Sequence, residues 1–191
     1  VNAPRKIALF GGTFDPIHEG HLFIAKQAIE QEKLDEVVFL PCRTSPHKQG
    51  LPSSSAADRL AMIQLAIADQ PSISVNDYDL ITPAPSYSYL TVAYFRNLWP
   101  DAQLFWIMGC DQWNALPRWR NPELLAKSVT FLVFARGDAP RAQEGYQMRA
   151  LSGAHPASAS AIRDQSSKHF IDPAWLSPRV LDYCIQQHLY T

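Results

Sequence analysis

Apolar positions along the chain recur with two periods that take turns. Residues 6–10, "KIALF", run without polar alternation, as in a strand covered on both faces. From Gly20 onward, Leu22, Ala25, Ala28 and Ile29 return at helical spacing, and "EVVFLP" (36–41) is a second β-branched run. Strand, helix, strand predicts a βαβ unit with parallel strands and a right-handed crossover. The alternation continues with a helix over 53–69, started by Ser55 with Asp58 three residues on and carrying Leu60, Ile63, Leu65 and Ala66. "SISVNDYDL" (72–80) reads as a strand, 86–99 as a helix and "AQLFWIMG" (102–109) as a buried strand. "NPELLAK" offers Asn121 as a cap and Pro122 as the first helical residue, and "VTFLVFAR" (129–136) is the next strand.

Repeated βα alternation predicts an α/β fold: a Rossmann-like open parallel sheet with helices on both faces. Residues 137–157 are polar and broken, with room for a short helix and one edge strand. A small C-terminal helical part follows, with Ser177 as cap, Pro178 in the first turn, and Val180, Leu181, Cys184 and Ile185 on one face. The 191 residues, 47% of them hydrophobic, supply one core, and 1–191 reads as a single domain. A formal charge of -1 removes the general electrostatic case for nucleic-acid or anionic-membrane binding, so any phosphate site must be local. The three cysteines, Cys42, Cys110 and Cys184, form no C-x-x-C pair, which points to a reducing compartment. The apolar run of "VNAPRKIALFGG" is too short for a signal peptide, and a soluble cytoplasmic protein is expected.

The candidate chemistry lies just beyond the first strand, in "GGTFDPIHEGH" (11–21). Ligands of open parallel sheets sit at the carboxyl ends of the strands, where the strand order reverses. Gly11 and Gly12 let backbone approach a phosphate, and the helix starting near Gly20 aims free N–H groups and its positive dipole end at the same spot. His18 and His21, three apart, share one side of that first turn and can donate to phosphate oxygens. A single histidine at a helix start is more often a cap or a surface residue; two of them beside a double glycine and Thr13 favour an anion site. The pattern is neither G-x-G-x-x-G nor a P-loop, and Asp15, His18 and His21 lack the ligand spacing of a zinc site.

This stretch resembles the nucleotidyltransferase signature of the adenylyltransferase superfamily, with His18-Glu19-Gly20-His21 at its H-x-G-H element. In its longer form it is similar to the nicotinate-mononucleotide adenylyltransferases of bacterial NAD synthesis. Further segments match that family in order. "SPHK" (45–48) resembles P-P-H-K with Ser45 at the first proline; "DRLAMIQLAI" carries Arg59 and Met62; "APSYS" (84–88) has Ser88 where the family has threonine. "WIMGCDQWNALPRW" supplies Gly109, Asp111 and Trp119, and "SASAIR" (158–163), preceded by Ala157, has Ser160 in place of a threonine.

The resemblance implies transfer of AMP from ATP, accompanied by Mg²⁺, to a pyridine mononucleotide. It implies that His18, His21 and Arg163 are catalytic, and that Gly11, Gly12, Thr13, Phe14, Lys48, Gly109, Asp111, Ser158 and Ser160 hold ATP and its phosphates. Tyr87, Ser88 and Trp119 would face the pyridine ring, with Trp113 fitting less clearly. His47 and Lys48 either reach the β- and γ-phosphates or form a polar loop, and Asp111 either binds a ribose hydroxyl or caps a helix. Ser158 and Arg163 have a plainer reading as a cap and a solvated side chain. The alternatives are another phosphate acceptor on the same scaffold, such as nicotinamide mononucleotide, and a non-catalytic nucleotide-binding module. The absence of a K-M-S-K-S-like segment disfavours a class I synthetase. No residue set for a protein-held metal emerges, and oligomeric state stays open.

Overall fold

The computed structural model describes residues 3–43, 54–83, 85–135, 137, 139–167 and 171–190. Six strands form one parallel sheet: β1 (Lys6–Gly12), β2 (Glu36–Pro41), β3 (Ile73–Val75), β4 (Gln103–Gly109), β5 (Thr130–Phe134) and β6 (Met148–Leu151). Their order is β3-β2-β1-β4-β5-β6, so the chain winds outward one way from β1 and, from β4, outward the other way. Successive β1 side chains go to opposite faces. Ile7 and Leu9 enter one buried cluster while Ala8 and Phe10 enter the other. An uninterrupted apolar run is what two covered faces require.

Helices α1 (Glu19–Glu32) and α2 (Ala56–Ile67), with α7 (Ala159–Ser167) and α8 (Pro178–Gln186), cover the Ala8/Phe10 face. Helices α4 (Ser88–Leu98), α5 (Cys110–Ala115) and α6 (Pro122–Ala126) cover the Ile7/Leu9 face. In α2 the Ser55 hydroxyl accepts the Asp58 N–H at 3.0 Å, the cap its sequence predicts.

Several expectations are corrected. The strand over 72–80 shortens to β3, and the short helix α3 (Tyr78–Ile81) follows it. The cause is Asn76, whose side-chain oxygen accepts the Tyr78 N–H at 2.9 Å and turns the chain. Asn121 stands at a helix cap position in left-handed backbone (φ 49°), but its side chain makes no cap bond, and neither does that of Ser177. Ile185 is 61% exposed, although Val180 and Cys184 on the same helix are buried. Between 137 and 157 the edge strand β6 forms, and no helix is found among the described residues.

Candidate active site

The reversal of strand order falls between β1 and β4, and their carboxyl ends open a cleft of about 540 Å³. Gly11, Gly12, Phe14, His21, Gly109 and Asp111 are among its lining residues. At Gly11 and Gly12 the rim is backbone because a side chain would not fit. A Cβ on Gly11 would meet the Trp106 ring at 3.0 Å, and one on Gly12 would meet the Phe14 ring at 2.8 Å. Phe14 holds a left-handed backbone (φ 50°), a conformation that costs a bulky residue about 1–3 kcal/mol. Its ring offsets this by packing edge-on against Phe39 at 5.1 Å and His21 at 4.9 Å.

Helix α1 begins at this cleft, with His21 of its first turn in the lining. His18 is the N-cap residue of α1, in extended backbone, and is 5% exposed. Its ring stacks on that of His21 with centroids 3.7 Å apart. The His18 N–H donates to His21 Nδ1 at 3.3 Å, which leaves the His21 ring proton on Nε2. Helix α7 follows directly on Ser158, whose hydroxyl accepts the Ala161 N–H at 3.3 Å and lies 3.4 Å from the Ser160 hydroxyl. The two starts touch: a Cβ on Gly20 would come within 2.9 Å of both the Ala157 carbonyl and the His18 ring. Arg163, one turn into α7, donates to the Asp15 carbonyl in the first loop. The starts of α1 and α7 therefore meet beside the cleft and bring helix-end N–H groups, imidazoles and hydroxyls to one side of it, although Ser158, Ser160 and Arg163 are not among its lining residues.

The loop is held from behind. The Asp15 carboxylate is 5% exposed and accepts the Tyr190 hydroxyl at 2.6 Å and the Ser54 N–H at 3.1 Å. Burial, with the bond to Asp15 adding, pushes the Tyr190 hydroxyl far above its usual range, so it stays a donor. Arg59, only 1% exposed, donates to the carbonyls of Thr13 and Cys42 at 2.8 Å and of Ser54 at 3.2 Å. It thus ties the ends of β1 and β2 to the start of α2, with its charge matched by carbonyl dipoles.

A second group gathers on the Ile7/Leu9 face at the same end of the sheet. Tyr87 and Ser88 start α4; Trp119, half-buried, ends the 3₁₀ turn Leu116–Arg118 that continues α5. The Arg120 guanidinium lies over the Tyr87 ring, 5.6 Å from its centroid, and joins the two segments. Asp79 anchors this side. Its carbonyl accepts the Ser86 hydroxyl at 3.1 Å, and its carboxylate accepts the Thr91 hydroxyl at 2.7 Å. Burial pushes the Asp79 carboxyl up to about 6, which the Thr91 bond partly opposes.

The cytidylyltransferase-like family profile matches residues 9–165. A Neisseria meningitidis serogroup C protein named probable nicotinate-nucleotide adenylyltransferase is 41% identical over 184 residues, spanning 89% of this chain and 93% of that one. The chain belongs to this family. A Methylacidiphilum infernorum protein of the same name is 47% identical over 133 residues, 70% of this chain and 65% of its own length. The fold is shared with the Plasmodium falciparum nicotinic acid mononucleotide adenylyltransferase complexed with NaAD (TM-score 0.78, 20% identity, 97% of each chain). It is shared also with the Vibrio parahaemolyticus putative nicotinate-nucleotide adenylyltransferase (TM-score 0.68, 18% identity, 97% and 95% of the two chains).

Of the residues that the family signature singles out, the structure brings Gly11, Gly12, Phe14, His21, Gly109 and Asp111 to one cleft, with His18 stacked behind His21. Thr13 turns its carbonyl to Arg59. Tyr87, Ser88 and Trp119 are not in that lining but form the group across the sheet. Asp111 is the second residue of α5, exposed in the cleft, and not a cap. Trp113 is excluded from any ring pocket: it is fully buried and its indole N–H donates to the Arg141 carbonyl at 2.8 Å. Ser45, His47 and Lys48 lie outside the described residues. All three cysteines are free thiols, and burial raises the pKa of each, Cys184 to about 11, so none is a ready nucleophile. Among the described residues no group of three His, Cys, Asp or Glu side chains could hold a metal, and no helix is long and apolar enough to cross a membrane. Periodicity did not reveal the anchoring parts played by Arg59, Asp79, Arg120 and Tyr190. The available signal for Arg59 was a lone arginine beside Met62 and Ile63 on an apolar helix face.

Proposed function

We propose that this protein transfers the adenylyl group of ATP to nicotinate mononucleotide, giving nicotinate adenine dinucleotide and pyrophosphate. The observation that carries the reading is the junction of the α1 and α7 starts beside the β1/β4 cleft, where His18 stacks on His21, Gly20 meets Ala157 and Arg163 reaches the Asp15 carbonyl. A phosphate oxygen of the acceptor attacks the α-phosphorus of ATP. One P–O bond forms, the bond to the β-phosphate oxygen breaks, and the electron pair leaves on pyrophosphate. Such a reaction needs alignment and charge neutralisation rather than a protein nucleophile.

His21 donates Nε2–H to the phosphate oxygens on which charge grows, and His18 orients it by stacking and by its backbone N–H. Ser158, Ser160 and Arg163 hold the departing pyrophosphate at the start of α7. Gly11, Gly12, Thr13, Phe14, Gly109 and Asp111 line the path of the nucleotide, with Lys48 as a further phosphate contact. Tyr87, Ser88 and Trp119 hold the pyridine ring. Mg²⁺ enters with ATP as part of the substrate, neutralising triphosphate charge. The free thiols fit a reducing, cytoplasmic setting. The test is pyrophosphate release by the purified protein with ATP, Mg²⁺ and either nicotinate or nicotinamide mononucleotide. Faster release with the acid is expected; release with neither, while ATP still binds, would overturn the proposal.

A further inference from the structure

The loop from β1 to α1 lines the cleft at Phe14 and ends on His18, and Asp15 between them is gripped at two points. Its backbone carbonyl accepts from Arg163 of α7, and its buried carboxylate accepts the Tyr190 hydroxyl and the Ser54 N–H. Tyr190 comes from beyond α8, and the chain bends sharply to bring it there. His188 (φ 52°) and Tyr190 (φ 66°) both hold left-handed backbone, with the Leu189 N–H between them donating to the Cys184 carbonyl at 2.9 Å. That conformation is unfavourable for a bulky side chain and persists only where surrounding contacts impose it. The contact here is a strong one. The hydroxyl donates to a carboxylate at 2.6 Å, away from water, and the Ser54 side chain is a further hydrogen-bond partner of the same hydroxyl.

Anchoring α8 does not account for this bond. The helix is already tied to α2 by the Tyr183 hydroxyl, which donates to Asp58 at 2.9 Å, and by Val180 and Cys184 in the core. What Tyr190 adds is a hold on the loop itself, on the residue whose carbonyl receives Arg163 and which precedes His18 by a few peptide bonds. A buried carboxylate that loses a donor reorients toward another one, and the peptide attached to it moves as well.

We propose that Tyr190 is a positioning residue for adenylyl transfer, a role that rests on the transferase reading above: by fixing the Asp15 carboxylate it fixes the peptide that Arg163 binds and the path of the chain into His18 and His21.

The test compares wild type, Tyr190→Phe and Tyr183→Phe in steady-state pyrophosphate release with ATP, Mg²⁺ and nicotinate mononucleotide, beside thermal unfolding of the same preparations. Each change keeps the ring and removes one hydroxyl that donates to a carboxylate, but only Tyr190 bonds to the loop. Both variants should lose a few degrees in Tm. Assayed well below Tm, Tyr190→Phe should lose about 10-fold in kcat, the scale of a displacement short of an ångström, with KM for both substrates within about threefold. Tyr183→Phe should keep kcat within about twofold. A kcat of Tyr190→Phe within about twofold of wild type, a loss confined to KM, or an equal loss in Tyr183→Phe overturns the positioning role while the transferase reading stands. Wild type inactive with nicotinate and nicotinamide mononucleotide alike removes the transferase reading and this inference with it.

Discussion

Replacing Gly20 by alanine adds one methyl group where the starts of α1 and α7 meet. The added Cβ would lie 2.9 Å from the Ala157 carbonyl oxygen and 2.9 Å from Cε1 and Nδ1 of His18, about 0.5 Å inside an ordinary 3.4 Å contact. The carbonyl belongs to the backbone leading into α7 and the ring is stacked on His21, so neither side yields like the end of a flexible chain. Overpacking of this kind costs about 1–3 kcal/mol, while alanine gains roughly 1 kcal/mol over glycine within a helix. The net loss of about 0–2 kcal/mol should lower Tm by no more than about 8 °C. Catalysis should suffer far more. A displacement of His18 and α7 by half an ångström or more separates the imidazoles from Ser158 and Arg163, and misplacement on that scale costs up to about 100-fold in rate. The assay is pyrophosphate release at saturating MgATP and nicotinate mononucleotide, run beside thermal unfolding of the same preparation. A folded Gly20→Ala variant with kcat within about twofold of wild type would refute the reasoning, because the junction would then not set the geometry of the site.

Three further outcomes are expected. His21→Asn keeps an acceptor near the position of Nδ1 for the His18 N–H but loses the Nε2–H donor; kcat should fall about 10²–10³-fold with Tm little changed, and an undiminished kcat in the same pyrophosphate assay would count against His21. Gly109→Ala places its Cβ in open space, with nothing within 4 Å, at the rim of the cleft. Its Tm should match wild type while KM for ATP rises several-fold; an unchanged KM would place the nucleotide elsewhere. Asp79 concerns stability against pH. Its folded pKa, about 6, exceeds the ordinary 3.8, so between these values the unfolded chain has released the proton that the folded chain still holds. Its contribution therefore falls as pH rises through that window, by about 2–3 kcal/mol, and stays low above it. Asp79→Asn still accepts from Thr91, so urea unfolding should find it more stable than wild type at pH 7.5 by about that amount and equal to it near pH 4; equal stability at both would refute the burial argument.

The linear pattern determined the scaffold because the causes are local. An apolar run such as 36–41 has no stable place except between two covered faces, and Ser55 followed by Asp58 caps its own helix. The glycines and histidines of 11–21 were legible for the same reason, since the turn, the helix start and the His18–His21 stack all form within eleven residues. Local patterns failed where a side chain outbid them: Asn76 ended a strand early, and Trp113, placed in the sequence among the candidate ring residues, went into the core because its N–H found the Arg141 carbonyl. Tertiary structure alone decided which distant segments meet. No spacing in the chain announces that Arg163 reaches the Asp15 carbonyl across 148 residues, that Tyr190 reaches the same residue's carboxylate, or that Arg59 joins the ends of two strands. Those contacts depend on the crossover of the sheet and on which buried polar groups needed partners, and both exist only once the chain has closed on itself.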